Sequence, residues 1–327
     1  MTIVKGPARR AVMVGAAASL FLPGVLRAQA WPARTITLVV PFAPGGGTDT
    51  FARPLAVKLS QELGQQVVVD NRAGAGGTVG AAVVAKAKPD GYTFLLGSVH
   101  HAVAVTAYKQ LPYDLRKDLA PVTSVASVPD VLVIYPGVPA STLQDFIAYC
   151  KANPGKVNYG SAGLGTTRHL AGEIFNARTG AGMTHIPYKG TGPATAALIG
   201  GEVAAVFEGL GSAAPHIRSG KARALAVFSA ERSPAFPDVP TAAQAGLPGF
   251  ESLSWYGLWA PAGTDASIIA RMQAAVEAAF ASTDLKKVWS EQGAVPGGAP
   301  TALFAAFVAE EIGKWGKVVR DGNITIE

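Results

Sequence analysis

Residues 36–50, ITLVVPFAPGGGTDT, determine the fold class of this 327-residue chain. The first six are apolar and mostly β-branched, so they predict a short strand that is buried on both faces. Three glycines at 45–47 interrupt the run, and Thr48 or Asp49 can cap a helix that extends to about Leu63. A strand, a glycine-rich loop and a helix in this order form the repeating unit of an α/β protein.

The same unit recurs along the chain. Further strands are predicted at 66–70, 92–97, 131–135, 156–159, 184–187, 203–207, 222–228 and 253–260. Helices are predicted at 78–87, 141–153, 194–199, 213–219, 265–281 and 302–319, with another that ends near 179 after a second glycine-rich loop at 160–167. Because the series restarts near Asp130, two α/β lobes are expected, each with a parallel sheet covered on both faces. The proline-rich segment 233–248 is expected to cross between the lobes as a surface loop.

The first thirty residues have the composition of a secretory signal peptide. Lys5, Arg9 and Arg10 precede an apolar run at 11–26, and Ala28-Gln29-Ala30 provides small residues for cleavage before Trp31. A membrane anchor is the alternative, but Pro23 interrupts the run, which is shorter than the roughly 20 residues that span a bilayer. The general secretory route is expected, although the arginine pair leaves the twin-arginine route open.

Charge and cysteine content exclude a nucleic-acid-binding protein and a protein stabilised by intrachain disulfides. Of the 28 Lys and Arg residues, four lie in the first thirty residues, which contain no acid, so the remainder has a net charge of about +2 and no basic groove for nucleic acid. Cys150 is the only cysteine, so no intrachain disulfide is possible. Ser141 and Gln144 match a capping box, and the helix they start places Cys150 on its buried face.

Enzyme signatures are incomplete in every case. Thr166 stands where a P-loop beginning at Gly160 requires lysine. Arg168 stands where a dinucleotide-binding fingerprint requires its last glycine. Tyr159 replaces the first glycine of a nucleophile elbow around Ser161. The five histidines contain no pair at zinc spacing, so neither a metal nor a cofactor is expected.

Two glycine-rich loops remain, at 42–50 and 160–167, each between the end of a strand and the start of a helix. Open α/β sheets bind ligands at this position. Glycine lets the backbone approach a ligand, and the free N–H groups at a helix N-terminus attract an anion. Two facing loops would clamp a dicarboxylate through the backbone, without any arginine. The alternative is that both loops are ordinary tight turns.

Seven motifs carry a resemblance to a known family. They are PFAPGGGTD (41–49), VDNRAGAGG (69–77), PDGYT (89–93), LPYD (111–114), YGSAG (159–163), HIPYKG (185–190) and PDVPT (237–241). Together they closely resemble the Bug family, the substrate-binding receptors of tripartite tricarboxylate transporters, in the same order over essentially the whole chain after the signal segment.

The resemblance implies a periplasmic type II solute-binding fold with two lobes, two crossover segments and a ligand cleft between the lobes. The first lobe would comprise 31–129 and 251–327, and the second 130–250. The expected role is capture of a small carboxylate for two membrane subunits of a transporter, by a monomer that performs no chemistry on it. A carboxylate sensor for a signalling partner, or an enzyme on the same fold, are the alternatives.

The resemblance also implies the binding residues. A ligand carboxylate would be held by the 161–167 loop, and ordered waters would bridge its other end to the 42–49 loop. The candidates are Phe42, Gly45, Gly46, Thr48, Ser98, Ser161, Ala162, Gly163, Thr166, Thr167, His169, Tyr188 and Glu208. For Ser98 a surface turn, for one of the threonines a helix cap, and for His169 and Tyr188 a packing role are the alternatives, and Asp49 is expected to be an N-cap. Relatives typically carry Asp at the position of Glu208, which is expected at the cleft mouth, where it reaches an ammonium group or solvent.

Overall fold

The computed structural model describes residues 1–3, 31–321 and 325–326. Most of the predicted signal peptide, including its cleavage motif, lies outside the described residues. From Trp31 onward the chain forms one compact unit, and Met1–Ala30 is assigned to a separate one.

Strands and helices alternate along the chain, as the sequence predicts. The strands are β1 (Ile36–Val40), β2 (Val67–Asn71), β3 (Thr93–Ser98), β4 (Leu119–Ile134), β5 (Asn158–Ser161), β6 (Thr184–Pro187), β7 (Ala205–Gly209), β8 (Arg223–Val227), β9 (Leu253–Pro261) and β10 (Val295–Pro296). The helices are α1 (Gly47–Leu63), α2 (Thr78–Ala85), α3 (Val99–Ala107), α4 (Leu143–Ala152), α5 (Thr167–Thr179), α6 (Thr191–Ile199), α7 (Leu210–Arg218), α8 (Ala266–Ala281), α9 (Thr283–Glu291) and α10 (Thr301–Asp321).

Two sheets share one long strand. In the first sheet β2, β1 and β3 are parallel, and β9 lies antiparallel between β3 and the first part of β4. In the second sheet the last part of β4 is antiparallel to β7 and β8, while β5 is parallel to both β6 and β7. The prediction of parallel sheets is therefore wrong: both sheets are mixed, because β9 is antiparallel to its neighbours in the first sheet and β4 is antiparallel to its neighbours in the second.

The change of sheet within β4 occurs at Asp130. Residues up to Pro129 pair with β9, and pairing with β7 begins at Asp130. The chain returns to the first sheet just before β9, where Asp130 N donates to Ser252 O at 3.0 Å. The predicted lobe boundaries stay a prediction, but both crossing segments meet at this residue.

The cores follow the two sheets. Phe51, Phe94 and Trp289 are among the fully buried side chains beside the first sheet, and Phe146, Phe175 and Phe207 beside the second. Cys150 is 1% exposed on the inner face of α4, as predicted. Among the described residues, no helix is long and apolar enough to cross a membrane.

Two predicted caps are wrong. Gly46, not Thr48 or Asp49, is the N-cap of α1, and the Asp49 carboxylate instead accepts the Gly45 N–H at 3.0 Å. The capping box of α4 pairs Thr142 with Asp145, one residue beyond the predicted pair.

Candidate functional site

Helices α1, α3, α5 and α6 direct their N-termini at one small space between the lobes. Residues from each of these N-termini line an inner pocket of about 10 Å³. Its walls are Phe42, Gly46, Gly47, Thr48, Ser98, His100, Ala162, Arg168, Thr191, Ser254 and Tyr256. Because each helix N-terminus carries partial positive charge and unpaired N–H groups, the inner pocket favours a negatively charged group.

A larger and mostly apolar space, the outer chamber, has a volume of about 340 Å³. It is lined by Phe42, Gly74, Ala75, Gly76, Gly77, Tyr108, Ala162, Gly163, Leu164, Pro187, Tyr188, Lys189 and Ile326. Phe42 and Ala162 line both spaces, so the mouth of the inner pocket lies beside them.

The two lobes touch around these spaces. Ala43 N donates to Lys189 O at 3.0 Å, and Gly47 N donates to Thr191 Oγ1 at 3.3 Å. At Gly192 an added Cβ would lie 2.1 Å from Pro44 O. The backbones of the two lobes therefore approach at a distance that only glycine permits.

A buried histidine links α3 to α5. His100 Nδ1 accepts the Thr167 N–H at 3.0 Å, so the ring carries no proton on that nitrogen. Burial, and then the charge of Arg168, lower the pKa of His100 well below its usual value. His100 is therefore neutral and joins the first lobe to the start of α5.

Arg168 is the cation nearest the inner pocket. Its side chain is 3% exposed, and Nη1 lies 2.6 Å from Asp130 Oδ2. Asp130 also accepts hydrogen bonds from Ser252 Oγ at 2.5 Å and Ser254 Oγ at 2.9 Å. Burial raises the pKa of Asp130, and the charge of Arg168 opposes that rise. The expectation of a cleft without arginine did not anticipate this side chain, which pairs with Asp130 where the two crossing segments meet.

Glu208 is 1% exposed behind the inner pocket and lines neither space. Its Oε2 accepts from Thr195 Oγ1 at 2.7 Å. Burial raises the pKa of Glu208, while Ser212, Thr195 and Arg168 oppose the rise. The expectation of a carboxylate at the cleft mouth is wrong because β7 carries this residue into the interior.

The 161–167 loop is held by its own hydrogen bonds. Ser161 Oγ lies 2.6 Å from His185 Nε2 and accepts the Gly163 N–H at 3.1 Å. Thr166 Oγ1 donates to Gly163 O at 2.7 Å and caps α5. Gly163 and Gly165 have φ of 122° and 71°, which a side chain would disfavour. The loop presents backbone to the ligand space and turns its hydroxyl groups inward.

The contact between Ser161 and His185 is the pairing that a serine hydrolase requires. Ser161 is 0% exposed and lines neither space. The His185 ring stacks on His169 at 4.2 Å, and burial lowers the pKa of His185 to about 4. The pair has the geometry of a structural contact, since the hydroxyl is fully buried and lines neither space.

The candidate residues divide into two groups. Phe42, Gly46, Thr48, Ser98, Ala162, Gly163 and Tyr188 line the inner pocket or the outer chamber. Gly45, Ser161, Thr166, Thr167, His169 and Glu208 line neither space. Ser98 is 1% exposed and so is not part of a surface turn.

The sequence-based list omitted several lining residues. Residues 74–77 follow a strand and precede α2, so the signal that identified the other two loops was present there as well. His100, Arg168, Thr191 and Tyr256 carried no such signal, since only the folded chain brings them together. Within the described residues, no group of three or more His, Cys, Asp or Glu side chains could hold a metal ion.

Two mixed α/β lobes, joined by two crossing segments and facing each other with helix N-termini, define the class of periplasmic solute-binding proteins. The solved structure of the periplasmic binding protein BugD has the same fold, with a TM-score of 0.88 at 33% identity over 91% of this chain and 100% of that one. The model of the tripartite tricarboxylate transporter family receptor matches residues 51–324. The chain belongs to this receptor family.

Individual relatives support the same assignment. Protein BugT of Bordetella pertussis is 45% identical over 296 residues, which cover 90% of this chain and 91% of BugT. An R. palustris protein solved with adipate has a TM-score of 0.86 at 38% identity, over 90% of this chain and 99% of that one. MatC from Rhodopseudomonas palustris, solved with malate, has a TM-score of 0.84 at 37% identity, over 88% and 100%.

Proposed function

We propose that this receptor captures a small organic acid in the periplasm and delivers it, as a monomer and without chemical change, to the two membrane subunits of a tripartite tricarboxylate transporter. The observation that carries the proposal is the convergence of four helix N-termini and Arg168 on the inner pocket. Malate and adipate in two related structures are both carboxylates, which supports the same class of ligand.

One carboxylate of the acid lies at the mouth of the inner pocket, beside Phe42 and Ala162. There its charge is stabilised by the dipoles of α1, α3, α5 and α6. The body of the acid occupies the outer chamber, whose walls are largely apolar. The burial of the Ser161 hydroxyl supports binding without turnover, since the serine that lies beside a histidine lines neither space.

A substitution at the contact between the lobes tests the proposed function. Gly192 lies within α6, where alanine favours the helix, but its Cβ would lie 2.1 Å from Pro44 O of the other lobe. We expect Gly192→Ala to fold normally and to lower the affinity for acids more than tenfold. Isothermal titration with mono-, di- and tricarboxylates, malate and adipate included, measures the loss, and circular dichroism checks the fold.

Gly313→Ala is the matched control, because it also lies in a helix and its Cβ would meet no atom within 4 Å. It should bind as the unmodified protein does. A saturating acid at 100 times its Kd should stabilise the unmodified protein by about 2.7 kcal/mol. If no acid raises its melting temperature, the proposed ligand class is wrong. Equal affinities for Gly192→Ala and Gly313→Ala would exclude binding between closed lobes.

A further inference from the structure

The inner pocket contains polar atoms that no described residue satisfies. Ser98 Oγ and Arg168 Nε are both buried without a hydrogen-bond partner among the described residues. Their side chains are 1% and 3% exposed, and both residues line the inner pocket. Because an unpaired buried polar group destabilises the folded chain, two of them beside one space indicate a bound polar partner.

Ser98 is the more informative of the two residues. It occupies the N-cap position of α3, where a serine hydroxyl ordinarily accepts a backbone N–H, yet its side chain makes no capping bond. The hydroxyl is therefore available to the pocket. Arg168 supplies a charged donor on the opposite lobe, held in place by its ion pair with Asp130.

The volume limits what this partner can be. About 10 Å³ corresponds to one water-sized group, which is too small for a whole carboxylate or a carbon branch. A single oxygen atom fits, and Arg168 can donate to it while Ser98 donates or accepts. Since the pocket opens beside Phe42 and Ala162, where the carboxylate is proposed to lie, an oxygen on the carbon next to that carboxylate can reach it.

We propose that the receptor selects acids with a hydroxyl or oxo group on the carbon adjacent to the bound carboxylate, and that Ser98 and Arg168 are the residues that select it. This inference rests on the proposed function. The related structures with malate and adipate show that the fold itself accommodates acids with and without such an oxygen. The choice in this chain therefore depends on its own pocket residues.

The experiment compares acids that differ only at this oxygen. Isothermal titration of the 31–327 protein uses adipate, 2-hydroxyadipate and 2-oxoadipate, and then hexanoate with its 2-hydroxy and 2-oxo forms. In each carbon skeleton that binds, we expect a substituted acid to bind about tenfold or more tightly than the unsubstituted one, as for one hydrogen bond to a charged group. Comparing the affinities for the hydroxy and oxo forms shows whether the pocket prefers a hydroxyl or an oxo oxygen.

Ser98→Ala should bring this ratio close to one, by lowering the affinity for the substituted acids more than the affinity for the unsubstituted acid. Its hydroxyl bonds to no described residue, so the variant should fold. Ser233→Ala is the matched control, because Ser233 Oγ is also buried without a partner but lines neither space. It should keep the full ratio. Arg168→Gln is tested together with Asp130→Asn, since removing the arginine alone would leave Asp130 buried without its cation.

Three outcomes would overturn the inference. Equal affinities for substituted and unsubstituted acids would mean that the inner pocket holds a water molecule or an oxygen of the carboxylate itself. A ratio that survives both Ser98→Ala and the paired variant would assign the selection to other residues. In both cases the proposed function stands, because acids still bind. Failure of every acid to bind overturns the proposed function and this inference together.

Discussion

Ala75 has a backbone conformation that its side chain disfavours. Its φ is 43°, the one positive value at a non-glycine position among the described residues. The carbonyl of Ala75 accepts from Tyr108 Oη and from Thr78 Oγ1, both at 2.9 Å, and these bonds hold the turn in place. The strain lies in a wall of the outer chamber, where strained backbone often accompanies function.

Ala75→Gly should therefore stabilise the protein. A left-handed conformation costs alanine roughly 1–2 kcal/mol, and the added freedom of glycine in the unfolded chain offsets part of the gain. We expect a net gain of about 0.5–1 kcal/mol in the free energy of unfolding, measured by urea denaturation. Ala73→Gly, at a neighbouring residue with ordinary φ, should instead lose about 0.5 kcal/mol. Equal effects of the two substitutions would mean that Ala75 is not strained.

Helices and strands differ in how well their sequences predict them. Periodicity predicted α1, α4, α8 and α10 to within a few residues. It did not predict the first part of β4, because 119–130 alternates apolar with small and polar residues and includes two prolines. That segment is a strand because β9 pairs with it along nine register positions. Tertiary pairing, which is absent from a local pattern, determines this element.

The cap of α4 can be tested at the level of this one helix. Thr142 accepts the Asp145 N–H at 3.1 Å, and the Asp145 carboxylate accepts the Thr142 N–H at 3.0 Å. We expect Thr142→Ala to lower the free energy of unfolding by about 1 kcal/mol. Ser141→Ala, at the position that the sequence pattern favoured, should change it by a few tenths at most. A larger loss at Ser141 would restore the predicted cap.

The candidate site was predicted only in part, for a related reason. Glycine-rich loops after strands are visible in the sequence, so Gly46, Ala162 and Gly163 could be found. Arg168 and His100 belong to helices of different lobes, and only the closed arrangement places them at one pocket. A sequence pattern does not show which hydroxyl is already bonded, so Ser161 was expected to bind ligand whereas its hydroxyl bonds to His185.

At the scale of the whole molecule, all five histidines change the stability with pH in the same direction. Burial lowers the pKa of His100, His101, His169, His185 and His216, to about 4 for His101 and His185. Below the ordinary histidine pKa of about 6.5, the unfolded chain then binds more protons than the native one, so stability decreases as the pH falls. We expect the free energy of unfolding to decrease between pH 7 and pH 4.5, as urea denaturation at several pH values would show.

Glu208 provides the control for this prediction. The raised pKa of Glu208 affects stability in the opposite direction to the histidines. A native carboxyl that holds its proton adds stability at low pH, and this contribution is lost as the pH rises. Glu208→Gln removes that compensation, so the loss on acidification should be steeper in this variant. A shallower loss would contradict the direction assigned to Glu208. Histidine rings that titrate near 6.5 by NMR would contradict the prediction itself.

Because both sheets share β4, the order of the strands along the chain determines which sheet is completed first during synthesis. The second sheet needs nothing beyond β8, which ends at Val227. The first sheet keeps a gap between β3 and β4 until β9 emerges, ending at Pro261. The lobe that begins first is therefore finished last, and for that interval β3 and β4 present unpaired edges. Such edges invite pairing with other chains, so this half of the molecule is the one exposed to aggregation until β9 is in place.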